Sequence, residues 1–153
     1  MTTRLLTRVI LPVAIVILLI DRLSKWWIVD VLDLRHLNRL EVLPPFLNLR
    51  MAWNEGINFG IPLGGPWILV GLSVLISVGL TWWVLRRGST AMAWGAGFVV
   101  GGALGNAFDR IWYAEKAVAD FINNACCGFD NPFSYNVADI AIFAGALWIA
   151  VKA

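Results

Sequence analysis

Four stretches of the chain are apolar almost without interruption, and polar residues gather between them. The stretches run from Val9 to Val29, Pro66 to Leu85, Thr90 to Phe108 and Asn136 to Val151. A helix needs about 20 mostly apolar residues to cross a bilayer, so this pattern predicts four transmembrane helices, the last somewhat short. The first stretch begins VILPVAIVILLI, as a secretory signal would. It lacks a small-residue cleavage site after its apolar run and continues into DRLSKWWIV, so it reads as a retained helix. Between the first and second stretches the period changes. From Phe46 to Asn54, Leu47, Leu49, Met51 and Trp53 alternate with Asn48, Arg50, Ala52 and Asn54, the period-two pattern of a half-buried strand. The NEGINFGIPLGG segment that follows is rich in glycine and predicts a flap or turn rather than a regular element.

Composition agrees with the pattern. The 153 residues are 59% hydrophobic and only 14% charged, with a mean hydropathy of +0.75. A soluble domain is about a quarter charged, so this chain reads as one integral-membrane domain, residues 1–153. The net charge of +2 comes without any basic block longer than Arg86-Arg87, which argues against a nucleic-acid partner. One histidine, His36, and two adjacent cysteines, Cys126 and Cys127, do not assemble a zinc ligand set, and no metal or other cofactor is expected. His36 reads as a surface residue, and the cysteine pair as two small residues in an exposed loop, with a vicinal disulfide the lesser alternative.

Positive residues orient the spans. Arg4 and Arg8 precede the first, Arg86-Arg87 lie between the second and third, and Lys152 follows the fourth. Both termini are therefore expected in the cytoplasm. The two longer connections, Asp30 to Gly65 and Asp109 to Tyr135, are expected outside.

Ionisable groups inside spans are costly and usually mark function, so the exceptions carry the information. Asp21 and Lys25 lie four apart on one helix face and can neutralise each other; a rise of about 1.5 Å per residue puts Asp21 roughly 20 Å from the inner end. In the third span Gly97, Gly101 and Gly105 recur every four residues, which suits close helix packing better than nucleotide binding. Asn106 and Arg110 share a face beyond them, with Asp109 alongside, and form a donor cluster fit for a carboxylate or peptide carbonyl. Asn136 and Asp139 share a face at the start of the fourth span, and Asp120 of VADFI can reach the same depth. Two carboxylates brought together cannot both ionise comfortably and share one proton, the arrangement by which a carboxyl pair activates water and protonates a leaving group. The alternative is two structural carboxylates satisfied by Arg110 and Lys25. The residues alone leave both open.

Five motifs in order, DRLSK (Asp21–Lys25), NEGINFG (Asn54–Gly60), GGALGNAFDR (Gly101–Arg110), VADFI (Val118–Ile122) and YNVADIAI (Tyr135–Ile142), make the chain resemble the lipoprotein signal peptidase (signal peptidase II) family of bacterial membrane aspartyl proteases. The resemblance implies a mainly α membrane fold of four helices with a small extracytoplasmic β element and flap. It implies Asp120 and Asp139 as the catalytic pair. Asn54, Asn106, Arg110 and Asn136 then hold substrate or orient the pair, while Asp21, Lys25 and Asp109 are structural polar residues. It implies a prolipoprotein substrate bearing a diacylglyceryl cysteine, cut just before that cysteine by a monomer in the bacterial inner membrane, near the outer leaflet. Two features depart from the family pattern: Ile57-Asn58-Phe59 brings an amide into the flap, and NNACCGFDNPFS matches nothing in the family. A small transporter or channel subunit is the rival reading, and a non-catalytic membrane assembly factor is a second. The first would string polar residues through the full depth of the bundle.

Overall fold

The computed structural model describes Arg4, residues 6–56 and residues 65–153; the flap residues 57–64, and with them Asn58, lie outside the described residues. The first helix, α1 (Leu11–Lys25), is flanked by wider helical turns at Leu6–Ile10 and Trp26–Val31, so one rod covers the first apolar stretch. Pro12, in the first turn of α1, has no N–H to donate and its ring crowds the preceding carbonyls, which loosens the turn ahead of it. A short helix α2 (Leu34–Leu37) leads into β1 (Arg39–Leu43) and β2 (Leu47–Asn54). Helix α3 (Pro66–Arg87), helix α4 (Thr90–Trp112), strand β3 (Val118–Asn124) and helix α5 (Val137–Lys152) follow.

Helices α3 and α4, of 22 and 23 residues, are long and apolar enough to cross a membrane. Local signals set their limits. Pro66 opens α3, where its missing N–H is harmless. Ser89 caps α4 by accepting the Met92 N–H at 3.3 Å.

Helix α4 is the axis of the bundle. About 67% of its apolar window is buried, against 11% of that of α3, because glycine brings two helices to its surface. A Cβ on Gly97 would stand 2.6 Å from Val13 Cβ, and one on Gly101 2.7 Å from Ala14 O, both on α1. On another face a Cβ on Gly102 would stand 2.5 Å from Ala138 O, and one on Gly95 2.8 Å from Gly145 O, both on α5. The expected stripe thus seats α1, and a second set of small residues, unremarked in the sequence, seats α5.

Ile10, Val84, Met92, Ala93, Ala96, Val99 and Ile149 form one apolar core. It gathers the N-terminal end of α1 and α4 with the C-terminal end of α3 and α5. Every long helix therefore has its other end beside the polar residues.

There the strands form a three-stranded antiparallel sheet in the order β1-β2-β3. Leu49, Met51 and Trp53 pack against a second core of Val29, Leu34, Tyr113, Ala119 and Phe121. The sheet corrects the sequence reading in three places. β2 is partly covered on both faces, with Asn48 buried on the polar one, because the loop after β3 is tied over it, Ser134 donating to Arg50 O at 2.8 Å and Asn123 to Asn131 O at 2.8 Å. β1 and β3 were not expected. β3 is buried along nearly its whole length, so VADFINN reads as a run and not as an alternation. In the loop after β3, Cys126 and Cys127 are joined in a disulfide, the lesser of the two sequence readings.

Gly102→Ala should drive α4 from α5 and cost on the order of 2 kcal/mol, whereas Gly71→Ala on α3, where a Cβ meets nothing within 4 Å, should be neutral or mildly stabilising. Thermal midpoints of the two variants in one detergent check this.

Candidate active site

The site is built around the first turn of α5. Asn136 precedes the helix with an extended backbone and Asp139 stands at its third position. The Asn136 side chain accepts the Asp139 N–H at 2.9 Å, and Asp139 Oδ2 accepts the Asn136 N–H at 3.1 Å. This reciprocal cap satisfies two backbone donors that a helix start leaves open, and it aims the Asp139 carboxylate outward from the helix end.

The same asparagine reaches the second carboxylate. Asn136 Nδ2 donates to Asp120 Oδ1 at 2.6 Å, and Asn54 Nδ2, from the end of β2, donates to Asp120 Oδ2 at 3.1 Å. Antiparallel pairing of Ala52 with Asp120 and Asn54 with Val118 sets that reach. Asp120 is 3% exposed. Burial, reinforced by the charge of Asp139, pushes its carboxyl from 3.8 up to about 7, and the hydrogen bonds from Asn54 and Asn136 oppose the rise.

Helix α4 supplies the third side. Asn106 Nδ2 donates to Asp139 Oδ1 at 2.9 Å, and its Oδ1 accepts from Asn136 Nδ2 at 3.2 Å. Arg110, one turn on, donates through Nη1 to Asn106 O at 3.2 Å. Its buried Nε has no partner among the described residues, which leaves a cationic donor beside the carboxylates.

Behind these groups lies an ion cluster. Lys25 and Asp21 are fully buried, with Lys25 Nζ 2.9 Å from Asp21 Oδ2 and 2.7 Å from Asp109 Oδ2. Arg22 bridges the same two carboxylates, at 3.1 Å from Asp21 Oδ2 and in close contact with Asp109 Oδ1. The pairing of Asp21 with Lys25 was legible in the spacing. The parts of Arg22 and Asp109 were not, since Asp109 comes from a helix 84 positions further along.

All the residues singled out in the spans and VADFI thus converge on one end of the bundle. Asn54, Asn106 and Asn136 contact the carboxylates, Arg110 touches Asn106, and Asp21, Lys25 and Asp109 stand one layer back. His36 is exposed. Among the described residues no group of three or more His, Cys, Asp or Glu could hold a metal.

Two cavities border the site, one lined in part by Asp120 and the other by Asn106 and Arg110. One, of about 380 Å³, lies on the sheet side and is lined by Ala52, Trp53, Asn54, Glu55, Asp120, Pro132, Phe133 and Ser134. The other, of about 210 Å³, runs down between helices and is lined by Leu69, Leu72, Ser73, Ile76, Val99, Ala103, Asn106, Arg110 and Ile142. Its polar lining is Ser73, Asn106 and Arg110, and the rest is apolar. A larger groove, of about 410 Å³ between Trp94, Phe98 and Trp148, has apolar walls and no hydrolytic group.

A helical bundle with apolar spans, a small sheet at one end and paired carboxylates beneath it defines a membrane enzyme of the aspartic peptidase class. The fold is that of a solved bacterial membrane enzyme, determined by the in meso method at 1.9 Å, with a TM-score of 0.78, 26% identity and coverage of 92% of this chain and 89% of that one. The family signature of signal peptidase (SPase) II matches residues 13–153, and the chain belongs to that family. It is 36% identical over 146 residues to the lipoprotein signal peptidase of Methylobacterium sp. (strain 4-46), covering 93% of this chain and 86% of that protein. It is 33% identical over 139 residues to that of Clostridium novyi (strain NT), covering 88% and 89%. Its activity is that of a lipoprotein signal peptidase, an aspartic peptidase of the bacterial membrane.

Since Asn54 opposes the rise at Asp120, Asn54→Ala should carry that carboxyl further above about 7. Protonated Asp120 would then persist to higher pH, and with Asp120 as the acid of the reaction the alkaline limb of kcat/KM would move upward. A pH profile beside the unsubstituted enzyme checks the sign; a limb that moves down would refute the coupling.

Proposed function

We propose that Asp120 and Asp139 are the catalytic pair and that they cleave the signal peptide from a diacylglyceryl-modified prolipoprotein, immediately before the lipid-bearing cysteine. The supporting observation is their convergence from β3 and α5 on one amide, Asn136, with Asp120 pushed up to about 7. Because burial pushes the Asp120 carboxyl up to about 7, we assign the shared proton to Asp120.

Asp139 then takes a proton from water, and the water oxygen attacks the carbonyl carbon of the scissile bond. Asp120 gives its proton to the developing oxyanion. When the tetrahedral intermediate collapses, the C–N bond breaks. The proton held by Asp139 passes to the departing α-amine of the cysteine, and Asp120 recovers its own as the carbonyl re-forms. Asn106 and Asn136 fix the two carboxylates by side-chain donation, and Asn54 holds Asp120 from the sheet. Arg110, with a donor left over, is placed to hold a substrate carbonyl.

The cavities fit the two halves of such a substrate. The inter-helix cavity, mostly apolar apart from Ser73, Asn106 and Arg110, suits the membrane-embedded side, and the sheet-side cavity suits the polar chain beyond the cysteine. In this reading four helices cross the membrane, both termini are cytoplasmic, and the pair lies just beneath the outer surface. The positions of the cations support it: Arg8, Arg86, Arg87 and Lys152 belong to the helix ends that meet at the apolar core. Exposed Trp26, Trp27, Trp67 and Trp112 mark the other level. A transporter is disfavoured because, among the described residues, buried charges occur only at the end that holds the carboxylates.

Asp120→Asn and Asp139→Asn should each lower turnover of purified enzyme on a diacylglyceryl-prolipoprotein about 10³-fold or more, with the protein still folded. Gel mobility of the substrate reads this out, and full activity in either variant refutes the pair. Equal cleavage of the unlipidated precursor would refute the lipid requirement.

A further inference from the structure

The tripeptide Val-Ala-Asp occurs twice, at Val118–Asp120 and Val137–Asp139, each time ending on a carboxylate of the pair. In both copies the alanine is fully buried, and in both its N–H is taken by a carboxylate from elsewhere. Asp109 Oδ2 accepts the Ala119 N–H at 3.1 Å, and Asp21 Oδ1 accepts the Ala138 N–H at 3.1 Å. Ala138 lies in the first turn of α5, where a helix offers its N–H no acceptor of its own. The two accepting carboxylates are joined by one ammonium group, that of Lys25, and by Arg22. Gly105 makes room for one of them: a Cβ there would stand 2.7 Å from Asp21 Oδ2.

Resting on the assignment of Asp120 and Asp139 as the catalytic pair, we propose that Asp21, Asp109 and Lys25 are positioning residues that set the separation of the two catalytic carboxylates by gripping the backbone one residue before each. β3 and α5 belong to different layers, and two carboxyl groups that share a single proton tend to drift apart once it is lost. A clamp on the backbone acts one residue from each carboxyl and leaves the side chains free to exchange protons. Lys25, fully buried, ties the two grips together with Arg22 as a second bridge, so the distance between strand and helix is fixed through the ion cluster.

The test compares variants of equal charge, because Arg110, Asp109, Lys25, Asp21, Arg22 and Glu55 all carry charge near the pair. Arg22→Met with Asp109→Asn keeps an oxygen acceptor for the Ala119 N–H; Arg22→Met with Asp109→Leu removes it. In folded enzyme the second should show kcat about tenfold or more below the first, with KM within about twofold. Its pH profile should be narrower, as weaker coupling brings the two apparent pKa values of the pair together. Equal kcat and identical pH profiles would overturn the proposal and leave the cluster a plain brace. Gly105→Ala, which changes no charge, should move kcat and the profile the same way. If the leucine variant does not fold, ¹⁵N-alanine hydrogen exchange on the unsubstituted protein decides: slow exchange at Ala119 and Ala138 supports the clamp, and exchange as fast as at an exposed amide refutes it. That readout is independent of activity, so an active Asp139→Asn, which would remove the catalytic pair, remains a separate result.

Discussion

Lys25 is the group on which the other polar contacts depend. Its ammonium ion is fully buried, and taking an ion out of water costs several kcal/mol even after relaxation. It is tolerable only because Asp21 and Asp109 lie 2.9 and 2.7 Å away. Those partners carry the opposite cost, which Arg22 helps to offset, so two cations face two anions and the cluster is neutral as a whole. Breaking one contact strands a charge, which is why such a cluster behaves as a unit. Asp21 Oδ1, free of the ion pairs, takes the Ala138 N–H, and Asp109 Oδ2 takes the Ala119 N–H beside Lys25, so the cluster also holds the backbone of a strand and a helix near their starts.

The amides form the next layer out. Asn136 caps α5, contacts Asp120 and Asn106, and returns its own N–H to Asp139. A side chain with one acceptor oxygen and two donor hydrogens can do this, and an ionisable one would add a charge where two carboxylates already compete. Neutral amides at positions 54, 106 and 136 therefore hold the pair, Arg110 stands beside it, and the ion cluster of Asp21, Arg22, Lys25 and Asp109 is kept one layer back.

Much of this was legible along the chain because lipid is an unforgiving solvent. Asp21, Lys25, Asn106, Arg110, Asn136 and Asp139 stood out against apolar surroundings, and the Gly97, Gly101, Gly105 stripe read correctly as a packing face. β3 did not read as a strand, since VADFINN is buried along most of its length and so lacks alternation. The second small-residue face sets Gly95 and Gly102 against Gly145 and Ala138; each pair is seven apart and so shares a helix face, but that the two faces meet is visible only once α5 is docked.

The sequence by itself determined the solvent, the number of apolar stretches, the side on which the cations fall and the identity of the costly residues. These depend on composition and on periods within a single helix. Tertiary structure decided that Asp109 belongs with Lys25 rather than beside Arg110, and that Asp120 lies in the middle of a strand. It also decided that the N–H groups before Asp120 and Asp139 are held by carboxylates 10 and 117 positions away. A buried charge requires a partner but does not say which one, and only the docking of α1, α4, β3 and α5 brings the eligible groups within hydrogen-bond reach.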